Sequence, residues 1–200
     1  MEYDRGEVLQ ARFNEYWSSM LGEEKDYFSS MTVEHFERLK YVLSNINNII
    51  TYKASILLAE LLAGILTLVP SEKEKLLSFA KKQNPNANGY DIACSEEIKL
   101  VAEIKCNLPV NSTNRFGGAQ VKGINGDIRG LFNGKPGFDP ETLWNYYKFL
   151  GIYRFDENTE QAVLHHLSNL PEDLRGFVEL YEKGKTAIGK EKVYVILISK

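Results

Sequence analysis

The stretch from Gly89 to Cys106, GYDIACSEEIKLVAEIKC, admits few arrangements other than a β-hairpin. Tyr90–Cys94 and Ile98–Cys106 read as two short strands joined by a polar turn at Ser95-Glu96-Glu97. Side chains alternate along a strand, so Leu100, Ala102, Ile104 and Cys106 face one way. Lys99, Val101, Glu103 and Lys105 face the other. With the turn centred near Glu97, position 91 falls opposite position 103, because the two are equidistant from that centre. Asp91, Glu103 and Lys105 then converge at the open end of the hairpin.

Two carboxylates beside one ammonium suit metal-assisted phosphodiester hydrolysis. Magnesium takes oxygen ligands and keeps several waters, so two carboxylates and a substrate phosphate can hold it. The metal supplies charge neutralisation and a water of lowered pKa. A lysine next to such a cation is pushed toward its neutral form, in which it can orient or deprotonate the attacking water. Glu-x-Lys itself occurs three times, at Glu23/Lys25, Glu97/Lys99 and Glu103/Lys105. The first lies in a charged run with no strand pattern and the second on the turn. Only the third sits in an apolar strand with an aspartate on the partner strand. The alternative is an ordinary hairpin face carrying a cross-strand ion pair.

Asp91, eleven intervening residues and then Glu103-Ile104-Lys105 resembles the signature of the PD-(D/E)xK nuclease superfamily, which includes many restriction endonucleases. Tyr90 stands where the family's name puts proline. The resemblance spans roughly residues 54–135 and implies an α/β fold of the restriction-endonuclease-like kind: a small mixed β-sheet flanked by helices. It implies Asp91 and Glu103 as Mg2+ ligands, the Ile104 carbonyl completing the metal shell, and Lys105 as the catalytic lysine. A helix packed beside the hairpin often adds an acidic residue in that family, and Glu60 is the candidate here. The alternative for Glu60 is a salt bridge at the helix edge. The resemblance further implies a helix over Gly118–Phe132, with Gln120, Lys122, Arg115 and Arg129 close to DNA. Its glycines, Gly123, Gly126 and Gly130, either line one face for a close approach or make the segment a flexible loop. The implied activity is magnesium-dependent cleavage of double-stranded DNA by a homodimer, as in a type II restriction endonuclease. A same-fold repair or junction nuclease and a non-enzymatic interaction module are the alternatives.

Around this centre the chain divides into an N-terminal helical region, 1–53, serving as a cap or dimer surface, and an α/β core, 54–200, the two forming one compact domain. Apolar spacing predicts helices over residues 5–21 and after an N-cap at Thr32. Ala54–Val69 is the most apolar run. Glu60 interrupts it, and it is shorter than the roughly 20 residues a membrane span needs, so no membrane is expected. Ser71-Glu72-Lys73-Glu74 reads as a capping box for a helix over Glu72–Lys82, and Gln83–Gly89 as a loop. Glu141–Leu150, Thr159–Leu167 and Glu172–Lys183 read as helices, and adjacent His165 and His166 as surface residues. Lys192–Ser199, apolar on both faces, reads as an interior strand.

A net charge of −3 gives no global sign of nucleic-acid binding. A local one exists: between Lys99 and Lys135 lie Lys99, Lys105, Arg115, Lys122, Arg129 and Lys135 against only Glu103 and Asp127. A solvated face explains that excess equally well. Two cysteines, Cys94 and Cys106, lack zinc-ligand spacing and read as free thiols in a reducing, cytoplasmic compartment. The sequon Asn111-Ser112-Thr113 finds no other sign of secretion.

Overall fold

A computed structural model describes residues 4–82, 89–95, 97–109, 114–136, 138–184 and 188–199. Most of the expected 83–89 loop and the sequon at 111–113 lie outside the described residues. The chain forms two compact units, Met1–Ile46 and Asn47–Lys200.

In the first unit, α1 (Arg5–Leu21) starts at Asp4, whose carboxylate accepts from the Gly6 and Glu7 amides. Thr32 precedes α2 (Val33–Leu43), and its amide donates to His35 Nδ1 at 3.2 Å. The rings of Phe13, Trp17, Tyr27, Phe28 and Phe36 pack edge-on or tilted, with the Phe13 and Phe36 centroids 5.2 Å apart. These aromatic stripes are packing surface.

The second unit opens with α3 (Ile46–Ile65) and α4 (Pro70–Lys82), followed by β1 (Ile92–Cys94) and β2 (Leu100–Lys105). Then come α5 (Gly118–Asn133), the one-turn α6 (Pro140–Leu143), β3 (Tyr147–Tyr153), α7 (Glu157–Ser168), β4 (Val178–Leu180) and β5 (Val193–Ile198). The strands form one sheet in the order β1-β2-β3-β5-β4. β1 is antiparallel to β2, and every other pair is parallel.

Helices cover both faces. Leu58, Leu62 and Leu76 of α3 and α4 pack with Leu100, Ala102, Ile104, Phe149, Tyr194, Ile196 and Ile198 on one side. Ile124, Ile128 and Leu131 of α5 and Ala162 and Val163 of α7 pack with Val101, Leu150, Ile152, Val193 and Val195 on the other. Burial on both sides is why β5 is apolar throughout and sits inside the sheet, between β3 and β4. The class is therefore α/β, with a five-stranded mixed sheet between helical layers.

Several elements differ from the sequence reading. α4 begins at Pro70, whose missing N–H suits a first helical position, and Glu72 accepts from the Val69 amide at 3.0 Å. The expected helix over 141–150 is one turn only. Asp139 caps it by accepting from the Thr142 amide, and the chain then becomes β3. The expected helix over 172–183 is a series of turns leading into the short edge strand β4. Within Val33–Ile65 there is a stretch apolar enough, by length and composition, to cross a membrane, which Ala54–Val69 alone had not suggested. A third of that window is buried, and Ala54, Leu58, Ala59 and Leu62 of α3 are taken up by the sheet.

Candidate functional site

The hairpin register fixes the site. Ile92 pairs with Ala102 and Cys94 with Leu100, so continuing the ladder one step sets Asp91 opposite Glu103, as the symmetric turn requires. The ladder stops before that step. Asp91 Oδ2 instead accepts from the Ile104 amide at 2.7 Å, satisfying a strand-end donor with a side chain. A carboxylate has about four acceptor positions, so this bond leaves others for a ligand.

Glu103 and Lys105 share the parity of Val101 and thus the sheet face that α5 covers. Two residues that the sequence reading did not select join them there. Asp127, on α5, lies with Oδ2 2.5 Å from Lys105 Nζ. Lys135, just beyond α5, lies with Nζ 2.5 Å from Glu103 Oε1 and 3.3 Å from the Gly89 carbonyl. Tyr90 braces that corner: its ring lies beneath Lys135 Nζ, 5.4 Å from the centroid, and its hydroxyl donates to the Gly130 carbonyl at 2.8 Å. Gly130 is where α5 leaves room for the Lys135 stem, since an added Cβ would meet Lys135 Cε at 3.1 Å. Gly123 and Gly126 face open space and mediate no close approach. The sequence pointed only toward Asp127, which with Glu103 is one of the two acids in the basic stretch 99–135, and it did not show that Asp127 meets Lys105 or that Lys135 meets Glu103.

Three carboxyl groups and two ammonium groups thus share a partly buried corner. Glu103 is 4% exposed. Burial, and then the neighbouring Asp91 charge, push its carboxyl up to about 8 against the pull of Lys135. Burial also raises Asp91, opposed by the Ile104 amide and by Lys105 and Lys135. For Lys105, burial acts to lower the pKa but is outweighed by Asp127, Glu103 and Asp91, and the net shift is upward. In the protein alone Asp127 favours the charged form of Lys105, and the neutral form expected from the sequence depends on a cation beside it.

The other expected residues stand apart. Glu60 is exposed on α3, the helix that packs the opposite sheet face, so the structure does not bring it to the cluster. Leu58, Ala59 and Leu62 fill the buried side of that helix, and Glu60 lies off it. Gln120 caps α5: its Oε1 accepts from the Gly117 amide at 2.9 Å and its Nε2 donates to the Leu108 carbonyl at 2.7 Å. Arg129 forms a two-point ion pair with Asp173 at 2.8 and 3.1 Å. Arg115 and Lys122 are exposed. His166 is buried, with its ring edge-on to Phe116, so of the adjacent pair His165 alone is at the surface. Cys94 and Cys106 form no disulfide.

Among the described residues, no group of three or more His, Cys, Asp and Glu side chains is arranged to hold a metal. The donor set nonetheless fits magnesium, which accepts hard oxygens and leaves positions to water and phosphate. Burial of Asp91 and Glu103, and the Asp91 charge acting on Glu103, are what a divalent cation relieves. No protein family, curated protein or solved structure matches this chain.

Proposed function

We propose that this protein is a magnesium-dependent endonuclease that hydrolyses phosphodiester bonds in double-stranded DNA, in the manner of a type II restriction enzyme. One observation carries the reading: Asp91, Glu103 and Lys105 meet at one end of one sheet face, with the Ile104 backbone between them. Asp91, Glu103 and the Ile104 carbonyl would hold Mg2+, which supplies charge neutralisation at the phosphate and a more acidic water. In hydrolysis the water oxygen joins phosphorus as one P–O ester bond breaks, and a water proton ends on the departing sugar oxygen. Lys105, kept charged by Asp127, holds the water and a phosphate oxygen in place rather than taking the proton. Cutting two strands with one site per chain calls for a homodimer. Tyr16, Met20, Val33, Tyr41 and Val42, exposed on the first unit, offer it a surface. Cysteines outside any disulfide suit a reducing cytoplasm.

The Lys105–Asp127 ion pair and the Lys135–Glu103 hydrogen bond favour a second reading, in which they lock the hairpin to α5 in a non-catalytic module. Incubating the protein with plasmid and magnesium separates the two. The wild type should cut, and Asp91→Ala and Lys105→Ala should each lose roughly 100-fold or more, the scale on which positioned catalytic groups act. Cutting that persists in both variants, or a wild type that never cuts, removes the nuclease reading. Duplex, junction and single-stranded substrates in the same assay distinguish restriction from junction or repair cleavage.

A further inference from the structure

A cavity of about 450 Å3 opens at the start of β3 and is lined by Phe132, Trp144, Phe177, Lys148, Lys190 and Arg129, among others. Its walls are aromatic. Phe132 and Phe177 meet edge-to-face with centroids 5.4 Å apart, and Phe177 is still 52% exposed. Trp144 is 75% exposed, an unusual degree for an indole that packing could have buried.

The floor is cationic. Lys148 is 3% exposed and donates to the carbonyls of Tyr146 at 3.0 Å and Lys190 at 2.6 Å. An ammonium has three donors, and among the described residues two of them are used, with the Phe132 ring centroid 5.8 Å from Nζ. Burial lowers Lys148 to about 8, so it stays mostly charged at neutral pH. Around it, Arg129 and Lys190 outnumber nothing by much: Asp173 and Glu191 also line the cavity, and Arg129 is paired with Asp173. The net is three cations against two anions: Arg129 is paired with Asp173, Glu191 acts on the buried Lys148, and Lys190 Nζ lies 4.8 Å from the Tyr147 ring centroid. Flat apolar walls over a buried ammonium complement a planar aromatic group that carries an anion.

We propose that this cavity binds a nucleoside monophosphate unit, its base stacked between Trp144 and Phe177 and its phosphate against Lys148 and Lys190. Such a unit comes either as a free nucleotide or as one residue of a single strand. The register favours proximity to the cluster described above: Lys148 pairs with Val101, two residues before Glu103 on the same sheet face. That is about 7 Å along the strand. The proposal stands independently of cleavage, because stacking and phosphate binding need neither Asp91 nor a metal.

Binding of dAMP by calorimetry and of a fluorescent single-stranded octanucleotide by anisotropy, both in EDTA, tests it. Trp144→Ala and Phe177→Ala, both at exposed positions that should fold, are each expected to weaken binding about tenfold or more. Lys190→Gln should weaken dAMP but not deoxyadenosine. Asp91→Ala should bind as the wild type does. Displacement of the octanucleotide by dAMP assigns the site to a strand residue; dAMP binding with no oligonucleotide binding assigns it to a free nucleotide. Binding of neither probe, binding unchanged in Trp144→Ala, or binding lost in Asp91→Ala overturns the proposal.

Discussion

A carboxyl buried under α5 beside a second carboxyl keeps its proton far into the neutral range, and Glu103 does so up to about 8. In the unfolded chain a glutamate titrates near about 4.3. Between those values the folded protein holds a proton that the unfolded chain has lost, so raising the pH through this window favours unfolding. The stabilising contribution is complete below about 4.3 and gone above about 8. Raising the pH of metal-free protein from 5 to 8, short of the full titration of Lys148, should therefore lower its Tm by several degrees. Each kcal/mol moves a domain of this size by roughly 2–4 °C. Glu103→Gln should flatten that slope, and a variant as pH-sensitive as the wild type would remove Glu103 as its source. Asp91 facing Glu103 was legible because a symmetric turn sets the register with arithmetic alone. Asp127 and Lys135 were not, because they arrive from a helix whose seating on the sheet depends on Ile124, Ile128 and Leu131 finding their places.

At the scale of elements, α3 lies so close to the sheet that β3 has a glycine beneath it. A Cβ on Gly151 would sit 2.7 Å from Ile198 Cδ1 and 2.8 Å from Leu58 Cδ2. Both are ends of flexible side chains, so Gly151→Ala should fold but lose about 1–3 kcal/mol in urea unfolding, the usual cost of overpacking. Adding Leu58→Ala opens room, so the double variant should lose less than the sum of the two single changes. Strict additivity would mean that the helix and the strand are not in the close contact described. The same strand shows why sequence misread this region. Trp144, Tyr146, Tyr147 and Phe149 carry a short apolar run that suits helix or strand equally, and Asp139-Pro140 ahead of it is a helix-start signal. That signal is real but serves only the single turn of α6. The strand takes over because its aromatic and apolar side chains fill both sheet faces at once. β5 had no such competing signal and was readable directly.

The whole second unit closes around β5. Val193 and Val195 belong to the core under α5 and α7, while Tyr194, Ile196 and Ile198 belong to the core under α3 and α4. β5 also carries the ladders to β3 on one side and β4 on the other. Removing residues 193–200 takes side chains from both cores and leaves β3 as a long unpaired edge, which invites aggregation. Losing even one buried leucine or isoleucine costs about 2–5 kcal/mol, against a total stability of about 5–15. The truncated chain should therefore be insoluble or show no cooperative unfolding. Deleting residues 1–46 should act differently, because Met1–Ile46 is a compact unit with its own aromatic cluster. The remaining Asn47–Lys200 should still melt cooperatively, and its pH slope should survive because Asp91, Glu103, Lys105, Asp127 and Lys135 all lie within it. A 47–200 chain that fails to fold, or a 1–192 chain that melts cooperatively, would contradict this division of the molecule.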